Sequence, residues 1–203
     1  MQQVVSDQMN DFAAIFGADI ELVIVKPPSL ALITSVAERL MTTRQVPQSR
    51  WVQPVDDLSA AQRALPESVD EDVRGVLVEQ IGAATQVLSD LFDCHEVGIR
   101  LETLSAPMCP RFHVDYIPCR MLITLGGAGT EWIANPDVDW QRFAELGTTE
   151  PPLQDGCQVR QMSSGDWSLL KGGAWSRGFQ GVVHRSPHVD SDRVLLSLDP
   201  ILN

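Results

Sequence analysis

The sequence predicts an α+β protein in one domain of 203 residues, mainly helical over residues 1–96 and built of short strands over 97–203. Apolar residues of the first portion recur at three- to four-residue spacing, the period of a helix with one buried face. From Val97 onward the pattern breaks into short apolar runs divided by Gly, Pro, Asp and Ser, which suggests a sandwich or barrel. A hydrophobic content of 44% over this length is enough to bury a full core.

In chain order, Asp7 to Phe16 reads as a short helix and Ile20 to Val25 as a strand. Pro28 to Met41 reads as a helix, since Leu30, Ile33, Val36 and Leu40 share a stripe. Arg44 to Asp56 contains Pro and Trp51 and reads as a connection. Ser68 with Glu71 three residues on is a capping-box spacing, announcing a long helix through Val73, Leu77, Ile81, Ala84, Leu88 and Leu91. Gly75 and Gly82 interrupt that run at about 1 kcal/mol each against Ala, which weakens its continuity. The helix is expected to cover one face of the β core. Strands are expected at Arg111 to Tyr116, Cys119 to Leu125, Asp166 to Lys171, Gly181 to His184 and Arg193 to Leu198, with Gly126-Gly127-Ala128-Gly129 as a turn.

The charge narrows the function classes. A net charge of −12 argues against a nucleic-acid partner, whose phosphates draw affinity from clustered Lys and Arg. The acidic excess between Asp56 and Glu96 reads as a solvated helix face. No run approaches the ~18 apolar residues of a spanning helix, and the first residues lack a basic, apolar leader, so a cytoplasmic protein without a membrane role is expected. The four cysteines fit neither a disulfide framework nor a Cys-x-x-Cys zinc site. Phosphate loops, dinucleotide fingerprints and serine-nucleophile elbows are missing from the sequence.

The strongest chemical signal is His113-x-Asp115, followed by His184 and then by Arg193. Two imidazoles and one carboxylate are the ligands of an iron(II) face that leaves positions open for chemistry, and a trailing arginine suits an acidic co-substrate. If Arg111 to Tyr116 is a strand, its two-residue period puts His113 and Asp115 on one face. Arg120 and Lys171 are the reserve cations. Glu131 and Trp132 follow the Gly-rich loop and are expected at the pocket mouth, with Tyr116 as a further pocket residue. His95 and His188 are read as non-catalytic.

The strings His113-Val114-Asp115, Gly165-Asp166-Trp167-Ser168-Leu169-Leu170-Lys171-Gly172, His184-Arg185-Ser186-Pro187 and Arg193-Val194-Leu195-Leu196-Ser197-Leu198 resemble the iron(II) and 2-oxoglutarate-dependent oxygenases. That resemblance spans roughly residues 105–200. It implies a C-terminal double-stranded β-helix (jelly roll) beneath the N-terminal helical layer. It also implies Fe(II) on His113, Asp115 and His184, and 2-oxoglutarate held by Arg193. Several branches of those enzymes carry a hydroxyl residue two positions after the arginine, where this chain has Leu195. The string from Cys109 to Arg120, with Gly129-Thr130-Glu131-Trp132 and His184-Arg185-Ser186-Pro187, also resembles an uncharacterised bacterial domain-of-unknown-function family, a resemblance that implies no settled activity but a gene neighbourhood of zinc homeostasis.

Zinc is the rival metal, because Cys109 and Cys119 offer soft ligands near His113. The expected function is therefore an iron(II) and 2-oxoglutarate-dependent oxygenase-like enzyme with a small-molecule co-substrate. The alternatives are a non-catalytic Zn(II)-binding protein of metal homeostasis on the same scaffold and a binding module without metal.

Overall fold

Period-two alternation in the strands sorts the chain into two sheets in the computed structural model, which describes residues 2–27, 30–43, 49–145, 150–188 and 192–202. The strands are β1 (Gln2–Ser6), β2 (Ile20–Val25), β3 (Ser49–Pro54), β4 (Glu96–Leu104), β5 (Cys119–Gly126), β6 (Glu131–Ile133), β7 (Arg160–Gln161), β8 (Trp167–Lys171), β9 (Val183–Arg185) and β10 (Arg193–Pro200). Seven form a large sheet in the order β1-β2-β8-β5-β10-β4-β3, and three form a small one, β7-β6-β9. Within the large sheet β1 runs parallel to β2, and the other pairings are antiparallel. The helices are two 3-10 helices, Met9–Phe16 and Asn135–Asp137, and α1 (Leu30–Thr43), α2 (Ser59–Ala64), α3 (Glu71–Phe92) and α4 (Trp140–Phe143).

The internal strands of the large sheet feed two cores. On one face Met121, Ile123, Leu125, Leu169, Leu196 and Leu198 join Ile33, Val36 and Leu40 of α1 and Val73, Leu77, Ile81 and Leu88 of α3. On the other face Leu22, Leu122, Leu170 and Leu195 pack between the sheets with Trp132, Met162 and Val182. Burying each of the α3 leucines contributes about 2–3 kcal/mol. This burial outweighs the two glycines, and α3 is continuous through both. The expected capping box does not form: Asp70 occupies the N-cap without a side-chain bond. Glu71 and Asp72 in the first turn complement the helix dipole instead.

The structure is thus mixed α/β with one large sheet and few helices. Three differences from the sequence expectation bear on its layout. Beside the expected strand β2, the first 96 residues supply β1 and β3 to the large sheet. The stretch read as a connection contains β3, whose Pro54 is tolerated because β3 is an edge strand. Arg111 to Tyr116 is a loop with a single β-bridge, His113 to His184, in place of a strand. Residues 28, 29, 44–48, 146–149 and 189–191 of the expected helix, connection and loops lie outside the described residues. Among the described residues, no helix is long and apolar enough to cross a membrane.

Candidate metal centre

The two histidines meet because their backbones pair. His113 N donates to His184 O at 2.9 Å and His184 N donates to His113 O at 2.9 Å, so the residues sit directly opposite one another. Side chains so paired share a face, and the rings lie 4.5 Å apart between centroids. Asp115 reaches them through a loop that glycines press into place. Gly173 N donates to Asp115 O and Gly172 N to Pro118 O, both at 2.9 Å. A Cβ on Gly172 would fall 2.0 Å from Ile117 O, and one on Gly181, whose φ is +86°, would fall 2.3 Å from Val114 Cγ1. Only glycine lets the loop lie this close to the ends of β8 and β9.

Both imidazoles are fixed in one tautomer. His113 Nδ1 lies 3.0 Å from Arg111 O and His184 Nδ1 lies 3.0 Å from Val182 O. A carbonyl only accepts, so each Nδ1 carries a proton and each Nε2 is left for the site, as a lone-pair ligand in the neutral ring and as a donor to Asp115 in the protonated one. Both Nε2 atoms face the same carboxylate: His184 Nε2 is 3.3 Å from Asp115 Oδ2, and His113 Nε2 is 3.8 Å from Oδ1. One donor atom from each of the three residues lies within 4.8 Å of the others. Two imidazole nitrogens and a carboxylate fit a first-row divalent ion with further positions left open.

The electrostatics favour the metal-ready forms. Burial, reinforced by the neighbouring His184, pushes the His113 imidazole below its ordinary range, so it is neutral near pH 7. Burial alone would raise the Asp115 carboxyl, but the His184 hydrogen bond and charge, with Arg120 and His113, more than offset it and hold it at about 2.

Arg120 is spent on positioning. Its Nε and Nη2 donate to the two oxygens of Asp199 at 2.7 Å each, and its Nη1 donates to Asp115 Oδ2 at 2.7 Å. It orients the candidate ligand and has little left for a co-substrate. Arg120→Ala is expected to weaken metal binding about 10- to 100-fold, the usual cost of losing an orienting group behind a ligand. A metal titration of the variant checks this. Lys171 is not a reserve cation either. It shares the helix-side face with Cys119 and Leu169, donates to Gly17 O at 2.9 Å and lies against Trp175.

Arg193 is placed differently. It is 1% exposed, and it shares its face of β10 with Leu195, Ser197 and Asp199. Nη2 donates to Thr124 Oγ1 at 3.3 Å and to Thr130 Oγ1 at 3.2 Å, while Nε and Nη1 are buried without a partner. Burial lowers its pKa to about 10. The cavity beside the histidines is about 280 Å³ and is lined by Asp115, Leu122, Thr130, Leu195 and Ser197 among others. Arg193 therefore stands one hydroxyl behind its wall. Leu195, where the oxygenase resemblance implies a hydroxyl, lines the cavity, and the hydroxyls beside the arginine come from Thr124 and Thr130.

The other expected pocket residues do not line this cavity. Tyr116 is 88% exposed, and Trp132 is buried between the sheets under Arg160. Glu131 pairs with the cavity residue Arg185 at 2.6 Å. Cys109 lines the cavity, but Cys119 lies on the helix-side face of β5 and cannot join it in a thiolate shell. His188 is exposed. The sequence reading missed Gly172, Gly173, Gly181, Thr124 and Thr130. The glycine cluster around residues 165–181 was the local signal for the three glycines, and the two threonines had none.

Solved structures with the same fold include oxygenases. The dioxygenase for auxin oxidation in rice superposes with a TM-score of 0.54 at 13% identity, over 99% of this chain and 83% of that one. A Pseudomonas putida prolyl-4-hydroxylase gives 0.52 at 8% identity, over 97% and 100%. A full-length Neurospora crassa protein, solved in complex with alpha-KG and 5-formyluracil, gives 0.50 at 11%, over 90% and 74%. Identities this low show the fold alone, which is similar to the jelly rolls of these oxygenases. No curated protein matches the sequence. Residues 6–199 match the model of a family described as a protein of unknown function, DUF1826, and the chain belongs to that family.

Proposed function

We propose that the chain is a non-haem iron(II) oxygenase-like enzyme that uses 2-oxoglutarate and acts on a small molecule in the cavity beside His113, Asp115 and His184. The observation that carries this reading is Arg193, a buried cation that forms no ion pair with a carboxylate among the described residues and has two donors without a partner, behind the cavity whose wall bears the three ligands. A protein rarely buries a guanidinium without an anion, because desolvation costs several kcal/mol. A ligand carboxylate removes that cost through a two-pronged bond.

In this reading His113, Asp115 and His184 hold the iron, and Arg120 keeps Asp115 aimed at it. Thr124 and Thr130 orient Arg193 toward the far carboxylate of the co-substrate. Bound iron(II) supplies the dioxygen chemistry. Leu122 and Leu195 give the cavity apolar walls that limit water around the reacting groups.

The zinc-storage alternative needs thiolates to close the coordination shell. The placement of Cys119 on the opposite face of β5 favours the open, three-ligand site. The double variant Cys109→Ser, Cys119→Ser is therefore expected to keep one metal ion per chain by elemental analysis. Loss of the metal from that variant would favour the carrier reading.

A further inference from the structure

The large sheet carries a second set of uncompensated arginines on its cavity face. In register, Arg50 of β3 sits directly opposite Arg100 of β4, and Arg100 sits opposite Ser197 of β10. Like charges placed directly across a strand pair repel one another. No carboxylate among the described residues offsets them. Asp199, the acid beside them in the groove, is already held by both prongs of Arg120. Glu102 lies two residues along β4 from Arg100, and its Oε2 is buried without a hydrogen-bond partner. Arg100 Nε is buried without a hydrogen-bond partner.

These arginines occupy a groove that continues the cavity. Arg100 and Ser197 line both the cavity of the three ligands and an adjoining groove of about 460 Å³ along the sheet edge, which Arg50 also lines. The chain as a whole carries a net charge of −12, so an anion approaching it is drawn only where positive charge is concentrated locally. Of the arginines on this face, Arg120 and Arg185 are neutralised by acids. Arg193 is assigned above to the co-substrate.

We propose that Arg100 and Arg50 bind an oxyanionic group, a phosphate or a carboxylate, on the primary substrate. The anion bridges the two guanidinium groups and accepts from Ser197, and the rest of the substrate extends into the cavity toward His113, Asp115 and His184. The substrate class is then a small acid or phosphate ester whose reacting carbon lies away from its charged end. This assignment rests on the oxygenase reading for the reaction, but the anion site itself can be tested without it.

The test is calorimetric titration of inorganic phosphate and, separately, of acetate into the full chain without added metal at low ionic strength. At least one of the two is expected to bind, and the tighter one identifies the charged group. Arg100→Gln and the exposed edge variant Arg50→Gln should each weaken that binding about tenfold or more, the worth of a charge-assisted hydrogen bond. Arg193→Met should leave it unchanged. In a parallel titration of the iron(II)-loaded chain, Arg50→Gln should leave 2-oxoglutarate binding intact. Failure of both probes to bind, or indifference to Arg50→Gln and Arg100→Gln, overturns the inference. So does loss of binding in Arg193→Met, which would place the anion in the co-substrate pocket. If phosphate or acetate behaves as expected while 2-oxoglutarate does not bind, the anion site stands and the oxygenase reading fails.

Discussion

Arg193→Met is expected to make the metal-free protein more stable and to abolish 2-oxoglutarate binding. Burial lowers the guanidinium pKa well below its ordinary value, to about 10. At about 1.4 kcal/mol per pH unit, this corresponds to a cost of about 3 kcal/mol in the folded state. Methionine fills similar volume without the charge, so a gain of roughly 1–3 kcal/mol is expected, less the bonds lost to Thr124 and Thr130. The pH dependence has a definite sign. Below pH 10 folded and unfolded chains both hold the proton, and the folded state bears the whole cost. As pH rises above about 10 the unfolded chain holds more protons than the folded one, and the parent gains stability from this group. The advantage of the variant should therefore be flat up to about pH 9 and shrink above it. Denaturant melts of both proteins across this range check the prediction. In the same variant, loss of the two-pronged carboxylate bond should weaken 2-oxoglutarate binding about a hundredfold or more.

The second large effect is expected at Asp115. Asp115→Ala removes the only carboxylate of the ligand group, and metal affinity should fall well beyond the 10- to 100-fold typical of an orienting residue. The fold should survive, because Arg120 keeps both of its bonds to Asp199. A modest stability loss accompanies the change. The carboxyl is held at about 2 against an ordinary 3.8, so it contributes about 2 kcal/mol. That contribution is fully present above pH 4 and is lost as pH falls through about 2, so parent and variant should converge in strong acid. Metal analysis and acid denaturation of the two proteins separate the chemical effect from the structural one.

Much of this arrangement was legible in the sequence, for reasons that differ by element. β2, β5, β8 and β10 are internal strands whose faces both meet apolar cores, so their runs stand out. β1 and β3 are the two edges of the large sheet, with Gln, Ser, Arg and Pro in their runs, and the pattern there is too mixed to signal a strand. α3 was legible from its stripe, although not from its start, because the Ser68 and Glu71 spacing that marks a capping box is not used.

The ligand residues were visible as a set, but the reason they converge was not. Alternation along a strand does not bring His113 and Asp115 together. Pairing of His113 with His184, far along the chain, joins the imidazoles, and the contacts of Gly172, Gly173 and Gly181 deliver Asp115. Long-range pairing and close backbone approach leave almost no local trace. The same limit applies to the cations. Arg120, Lys171 and Arg193 look alike in a sequence, and only the sheet register assigns the first to acids, the second to the helix side and the third to the cavity wall.

If one iron(II) and one 2-oxoglutarate meet at His113, Asp115, His184 and Arg193, the most direct measurement is the visible spectrum of the protein titrated with both in the absence of oxygen. A weak charge-transfer band is expected that needs both components, saturates at one of each per chain, and is absent in Arg193→Met and in Asp115→Ala. A parent protein that binds one iron per chain and shows no such band at saturating 2-oxoglutarate would contradict this assignment.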